Sequence, residues 1–238
     1  MKVIILSKTP YKEKDVIFNA ISEDKYFSFR ARGVIDNKSP YVWLNNELTI
    51  ADIEVSEDKR SKYLSLKEAK PISSSLIGDG DLNYLFSLSV IGEAANKMLD
   101  DDEKHLMFPY IEGALKALKE KKDYKMVILI FLANATKLAG AELNVDSCIN
   151  CGSTSDIVAF SFADGGFYCR KCLEPDTPID LNSSQMHLIR YIYRAPNFSC
   201  VKTDKFTEQD KNAVLHSLRN YIIDAVGVYI ESLKKIIK

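Results

Sequence analysis

At 238 residues, 46% hydrophobic and 27% charged, the chain has the make-up of an ordinary globular protein with room for more than one core. That composition excludes global disorder and a mini-protein dependent on staples. The formal net charge of −1 gives no hint of a nucleic-acid binder, so any such surface must be a local patch.

The N-terminal MKVIILSKTPYKEKD holds only the short apolar run Val3–Leu6, too brief for a signal peptide. The longest apolar window, MVILIFLANA at residues 126–135, is about half of what spans a bilayer, so it reads as a buried helix and a cytoplasmic location is expected. In the first seventy or so residues KVIILS, DVIFNAI, KYFSFRARGV, YVWLN, ELTIADIEV and KYLSLKEA are rich in Val, Ile, Tyr and Phe and punctuated by Pro, Asn, Asp and Ser, the mark of short strands. In KYFSFRARGV, Phe27, Phe29 and Ala31 alternate with Ser28, Arg30 and Arg32, which predicts a half-buried strand with a basic outer face. Five or six such strands without intervening helices predict a small closed, or nearly closed, antiparallel barrel.

Pro, Ser and Gly in PISSSLIGDGDLN, residues 71–83, mark a domain boundary, and the lone G-x-G of Gly78 and Gly80 reads as linker. Helical spacing follows in LNYLFSLSVIGEAANKML, HLMFPYIEGALKALKE and YKMVILIFLANATKLAG, the last closed by Gly140. The acidic run Asp100–Glu103 reads as a solvated helix start. Beyond the cysteines come a short helix, SSQMHLIRYIYRA, and a long one from Thr207, with Asp210 at capping-box spacing. Val214, Leu218, Tyr221, Ile222, Ala225, Tyr229 and Leu233 predict one apolar stripe along it.

Between the helices, CINCGSTSDIVAFSFADGGFYCRKC places Cys148, Cys151, Cys169 and Cys172 in a C-x2-C-x17-C-x2-C pattern. A redox centre would use one pair and leave the other unexplained, and disulfides are rare in the cytoplasm. Two thiolate-bearing knuckles are what a tetrahedral Zn²⁺ requires, and four of them leave no open position, so the site reads as one structural zinc. A hairpin turning at Ala163, Asp164, Gly165 and Gly166 would return the second pair to the first, and Gly152 would let the first knuckle bend with positive φ. Cys200 is left over as a small buried hydrophobe. No G-x4-G-K-[ST] occurs, and His105, His187 and His216 stand in helical segments without a nucleophile and base beside them.

Strands first, helices next and a late four-cysteine segment resemble the bacterial RecO recombination mediators over essentially the whole chain. YKEKD at Tyr11–Asp15 resembles that family's Y-G-E-x-D step, with Lys12 where glycine is usual. RARGV at Arg30–Val34 resembles the strand and basic hairpin that follow, and the run from Phe131 through LAGAELNVDSCINCG to GGFYCRKC is the more specific match. The resemblance implies an α+β multidomain chain: an OB-fold barrel over residues 1–75, an α-helical domain over 76–147 and 183–238, and an inserted zinc ribbon over 148–182. It implies a non-catalytic, nucleoid-associated protein that binds single- and double-stranded DNA, anneals strands, and with RecR helps RecA replace the single-strand-binding protein SSB. OB barrels hold single strands with cations on the phosphates and rings under the bases. Arg30, Arg32 and Lys38 are the candidate cations, and Tyr26 and Trp43, each placed on a strand, the candidate rings. For the acidic, apolar-ended SSB tail the candidates are Arg190 and Arg194, one helical turn apart beside Ile189, Tyr191 and Tyr193. The competing class is a nucleic-acid-modifying enzyme with a structural zinc ribbon, which would need a titratable cluster in a pocket.

Overall fold

A computed structural model of the chain describes residues 1–36, 38–58, 61–75, 81–201 and 205–237; the Gly78/Gly80 step lies outside them. Two compact units, Met1–Leu115 and Lys116–Lys238, divide the chain.

In the first unit β1 (Lys2–Tyr11), β2 (Asp15–Ile21), β3 (Tyr26–Ala31), β4 (Ile50–Ser56) and β5 (Leu64–Ser73) form a closed barrel in the order β1-β2-β3-β5-β4, with β4 pairing back onto β1. Only β3 and β5 run parallel. This is the five-stranded closure of an OB-fold, and it leaves no strand edge to cover. Alternate residues fill the interior: Val3 and Ile5 from β1, Phe18 and Ala20 from β2, Phe29 and Ala31 from β3, Ala51 and Ile53 from β4. Ile4 and Leu6 on the other face of β1 are equally buried, since α1 (Leu82–Lys97) packs on that strand and Asn96 Nδ2 donates to the Leu6 carbonyl at 3.1 Å. Asp81 caps α1 by accepting from the Asn83 amide.

The segment YVWLN is not the expected strand. Residues Val42–Asn45 form one turn of 3-10 helix, which drops Leu44 into the barrel core. Asn45 Nδ2 donates to the carbonyls of Val34 and Val42, and Ser39 Oγ accepts from the Tyr41 amide, so local side-chain bonds replace a sheet ladder. The second helical segment likewise opens later than its spacing suggests. A 3-10 turn at Lys104–Met107 precedes α2 (Phe108–Lys119), which carries Pro109 in its first turn, where a missing amide is harmless. Asp100, Asp101 and Asp102 are exposed ahead of that turn.

In the second unit α3 (Tyr124–Leu138) is buried nearly all round, as its apolar run requires, and packs on α4 (Ser183–Arg194) and α5 (Glu208–Tyr221). Asp123 caps α3, and Gly140 ends it at φ +74°. Asn182 and Gln185 form a reciprocal capping box on α4. Lys125 and Lys211 are buried, and their ammonium groups are met by Glu208 and Asp123. The C-terminal stripe is shorter than expected. After α5 the chain passes through a π turn at Ile222–Val226 and breaks at Gly227, φ +74°, before a 3-10 turn at Glu231–Lys235. Ala225 and Tyr229 are consequently exposed, while Val214, Leu218, Ile222 and Leu233 are buried. Between α3 and α4 lies a small sheet of β6 (Asn144–Cys148), β7 (Ile157–Ser161) and β8 (Gly166–Cys169) in the order β6-β8-β7.

Candidate metal centre and nucleic-acid interface

The small sheet exists to bring two knuckles together. β7 turns into β8 through the expected hairpin, with Gly165 at φ +79°, and Cys169 at the end of β8 comes beside Cys148 at the end of β6. Gly166 sits where a Cβ would meet Ile149 Cγ2 at 2.6 Å and the Asn144 carbonyl at 2.7 Å, so only glycine lets β6 and β8 approach. Gly152 adopts φ +71°, and its amide donates to the Cys148 carbonyl at 2.8 Å, closing the first knuckle as expected.

The four sulfurs lie within 4.8 Å of one another, with Cys151 and Cys169 Sγ at 3.6 Å. A tetrahedron with metal–sulfur bonds of about 2.3 Å has edges near 3.8 Å, so the donor set fits a tetrahedral ion. Electrostatics agree. Burial pushes the Cys148 thiol up, but the amides of Cys169, Cys151 and Asn150 more than offset it and bring it down to about 6. Cys172 is raised to about 12, first by its hydrogen bond with Cys151, then by burial and the neighbouring Cys148 charge. Four close sulfurs cannot all ionise alone; a divalent cation at their centre removes that conflict. Cys200 is not the buried hydrophobe expected. It is half-exposed on a 3-10 turn, Phe198–Cys200, because Pro196 ends α4 and carries the chain to the surface.

On the barrel, Arg30 lies opposite Ile17, and its Nε donates to Asp15 Oδ2 at 2.8 Å. Both side chains are largely buried, and the guanidinium covers the Tyr11 ring at 5.2 Å. Burial pushes the Asp15 carboxyl up, yet hydrogen bonds from Arg30 and the Gly33 amide, with the charges of Arg30 and Arg32, hold it below its ordinary 3.8. Arg32 lies just past the end of β3 with 65% of its side chain exposed, paired at 3.2 Å with Asp58. Lys38 is exposed in the following loop. Tyr26 shares the Arg30 face but is half-buried beneath Lys104, whose Nζ is 5.0 Å from the ring centre. Trp43 stands on the 3-10 turn rather than a strand, packed against the barrel core with its indole N–H given to the Pro40 carbonyl at 2.8 Å.

In the second unit a cleft of about 280 Å³ is lined by His187, Arg190, Tyr191, Arg194, Cys200 and Lys205, with Ala195 and Pro196. None of these is a carboxylate. Arg190 donates from Nε to the Val145 carbonyl at 2.8 Å and lies 4.7 Å over the Phe167 ring. Burial, then the Arg194 charge, lower its pKa from the usual arginine value. Arg194 is more exposed and pairs with Asp146. Ile189 and Tyr193 are buried in the helical core, so of the apolar neighbours only Tyr191 reaches the cleft.

A family model described as "Recombination protein O C terminal" matches residues 79–234, the greater part of the chain. The chain belongs to the RecO family. The "DNA repair protein RecO" of Bacillus cytotoxicus is 24% identical over 234 residues, covering 96% of this chain and 92% of that protein. That of Bacillus cereus is 25% identical over 235 residues with the same coverage. That of Halalkalibacterium halodurans is 22% identical over 153 residues, 64% of this chain and 60% of its own length. Membership makes the chain a DNA repair and recombination protein, with the barrel, helices and inserted cysteine sheet the resemblance implied. No described helix is long and apolar enough to cross a membrane.

Sequence reasoning missed two parts of this RecO chain's cationic surface. His187 shares a face of α4 with Arg190 and Arg194, at helical spacing that was not used, whereas Lys205 joins them only through the bend after α4, and no spacing rule connects a loop lysine to them. The Arg30–Asp15 pair was equally hidden, since it depends on the register of β2 against β3.

Proposed function

We propose that this chain is a non-catalytic recombination mediator. Its barrel, residues 1–75, binds single- and double-stranded DNA through the phosphates, it anneals complementary strands without ATP, and it acts with RecR to help RecA replace SSB. What supports the reading is the closed OB barrel in a chain of the RecO family, with Arg32 exposed just past the end of β3 and Lys38 exposed in the loop that follows. Arg30 contributes by fixing the hairpin rather than by meeting phosphate, because its guanidinium is already held by Asp15. One Zn²⁺ on Cys148, Cys151, Cys169 and Cys172 shapes the ribbon; four thiolates leave it no site for substrate.

The second unit receives the acidic, apolar-ended tail of SSB in the cleft of Arg190, Arg194 and Lys205, where Tyr191 offers an apolar wall and none of the described lining residues is a carboxylate. A strand-annealing assay with and without SSB tests the whole reading. Annealing of SSB-coated strands is expected without nucleotide, and failure on both bare and coated strands overturns it. Titration of an SSB tail peptide tests the cleft: Arg190→Ala with Arg194→Ala should weaken binding at least tenfold, and no binding to the unmodified chain at micromolar peptide removes this partner.

A further inference from the structure

The rings that the barrel leaves for a nucleobase are not those its sequence suggests. Trp43 is half-buried against the barrel core with its indole N–H engaged by the Pro40 carbonyl, and Tyr26 is covered by Lys104. Tyr11, the last residue of β1, and Tyr63, just ahead of β5, meet at the same end of the barrel as Arg30. Their ring centres are 6.2 Å apart and their planes cross at 70°, so together they form a corner. Both are half-buried, and neither belongs to the barrel's apolar cluster.

Two kinds of cation attend this corner. Arg30 is fixed, since its Asp15 pair is largely buried, and it holds Tyr11 in place from one side. Lys12 and Lys62 are exposed, with ammonium groups 5.5 Å from the centre of Tyr11 and 5.0 Å from that of Tyr63. An exposed ammonium over a ring is a weak and mobile contact. A nucleobase has a larger face to offer, and base–aromatic stacking is the stronger interaction. The displaced ammonium would lie within reach of the phosphates flanking that base, so the exchange keeps each cation in use.

We propose that Tyr11 and Tyr63 form a receiving corner for one unpaired nucleobase, with Lys12 and Lys62 moving from the rings onto the flanking phosphates. Bases inside a duplex already stack on their neighbours, so the corner gives the barrel a preference for single strands that its cations alone cannot supply. This rests on the reading that the barrel binds single-stranded DNA.

The test uses the full chain with two labelled oligonucleotides of equal length, one of thymidines and one abasic, which present the same phosphates. The unmodified chain should prefer the thymidine strand by about 5- to 150-fold, the range that stacking of a single base provides. Tyr11→Leu with Tyr63→Leu should lower thymidine affinity to the abasic level and leave abasic affinity as it was, while the paired Phe substitutions retain the preference. Equal affinity of the unmodified chain for both strands overturns the corner and leaves phosphate binding intact. A preference that survives the Leu pair also overturns it, by locating the bases elsewhere. No binding to either strand removes the single-strand reading and the corner with it. Because the comparison on the unmodified chain needs no variant, poor folding of the Leu pair cannot shelter the proposal.

Discussion

The barrel and the cysteine sheet are both small β structures, but only the first closes on itself. β4 returns to β1, every strand has two neighbours, and Val3, Ile5, Phe18 and Phe29 meet inside. The sheet of β6, β7 and β8 has open edges and a slight core in which Phe160 and Phe167 meet edge-to-face at 5.0 Å. Four sulfurs stand where further apolar residues would be. The barrel therefore draws its stability from area removed from water, while the ribbon would draw its own from the proposed zinc. The difference predicts where each is fragile.

The largest effect should come from the ribbon. Cys148→Ser removes one of four ligands, and zinc in small structural sites is worth on the order of 10 kcal/mol. Elemental analysis should find one zinc per unmodified chain and none held by this variant, with the ribbon unfolded and the barrel intact; Cys200→Ser should keep its zinc. Loss of the barrel along with the ribbon would break the contrast between the two.

The barrel's weak point is polar. Asp15→Asn leaves the largely buried Arg30 without its counter-charge and should cost about 3 kcal/mol by denaturant unfolding. The folded pKa of Asp15 lies below 3.8, so the pair contributes fully above that pH and is lost as pH falls through the lower, folded value. Acid titration of barrel stability should show that loss in the unmodified chain, and the Asn variant should lack it.

Gly166→Ala sharpens the geometry of the ribbon. The new methyl group meets the Asn144 backbone and Ile149, and should cost about 1–3 kcal/mol and weaken zinc retention. Smallest of all, Lys12→Gly should stabilise the barrel by about 0.5–1 kcal/mol. Lys12 holds φ +57° in the β1–β2 turn, a conformation that disfavours side chains. A neutral or destabilising result in thermal unfolding would mean that its ammonium over Tyr11 matters more than its backbone.

The same contrast explains what could be read from the sequence. The ribbon was legible because metal geometry fixes ligand spacing, and the barrel because alternation in KYFSFRARGV reports the inside of a strand. YVWLN misled because Val and Trp favour strands locally, whereas burial of Leu44 and the bonds of Asn45 decided the turn. The C-terminal stripe misled because spacing carries no sign that Gly227 takes positive φ. Which cations are already engaged, Arg30 by Asp15 or Arg190 by Val145, depends on register and packing across distant segments.

The central claim is that the barrel holds single-stranded DNA by cations at the end of β3, and it is tested most directly by salt dependence. Affinity for a thymidine oligonucleotide should be measured across a range of salt for the full chain and for Arg32→Ala with Lys38→Ala, both exposed positions. The account predicts weaker binding and a log–log slope flattened by about 1–2, as loss of two phosphate contacts requires. An unchanged slope with unchanged affinity would contradict it and move the DNA off the barrel.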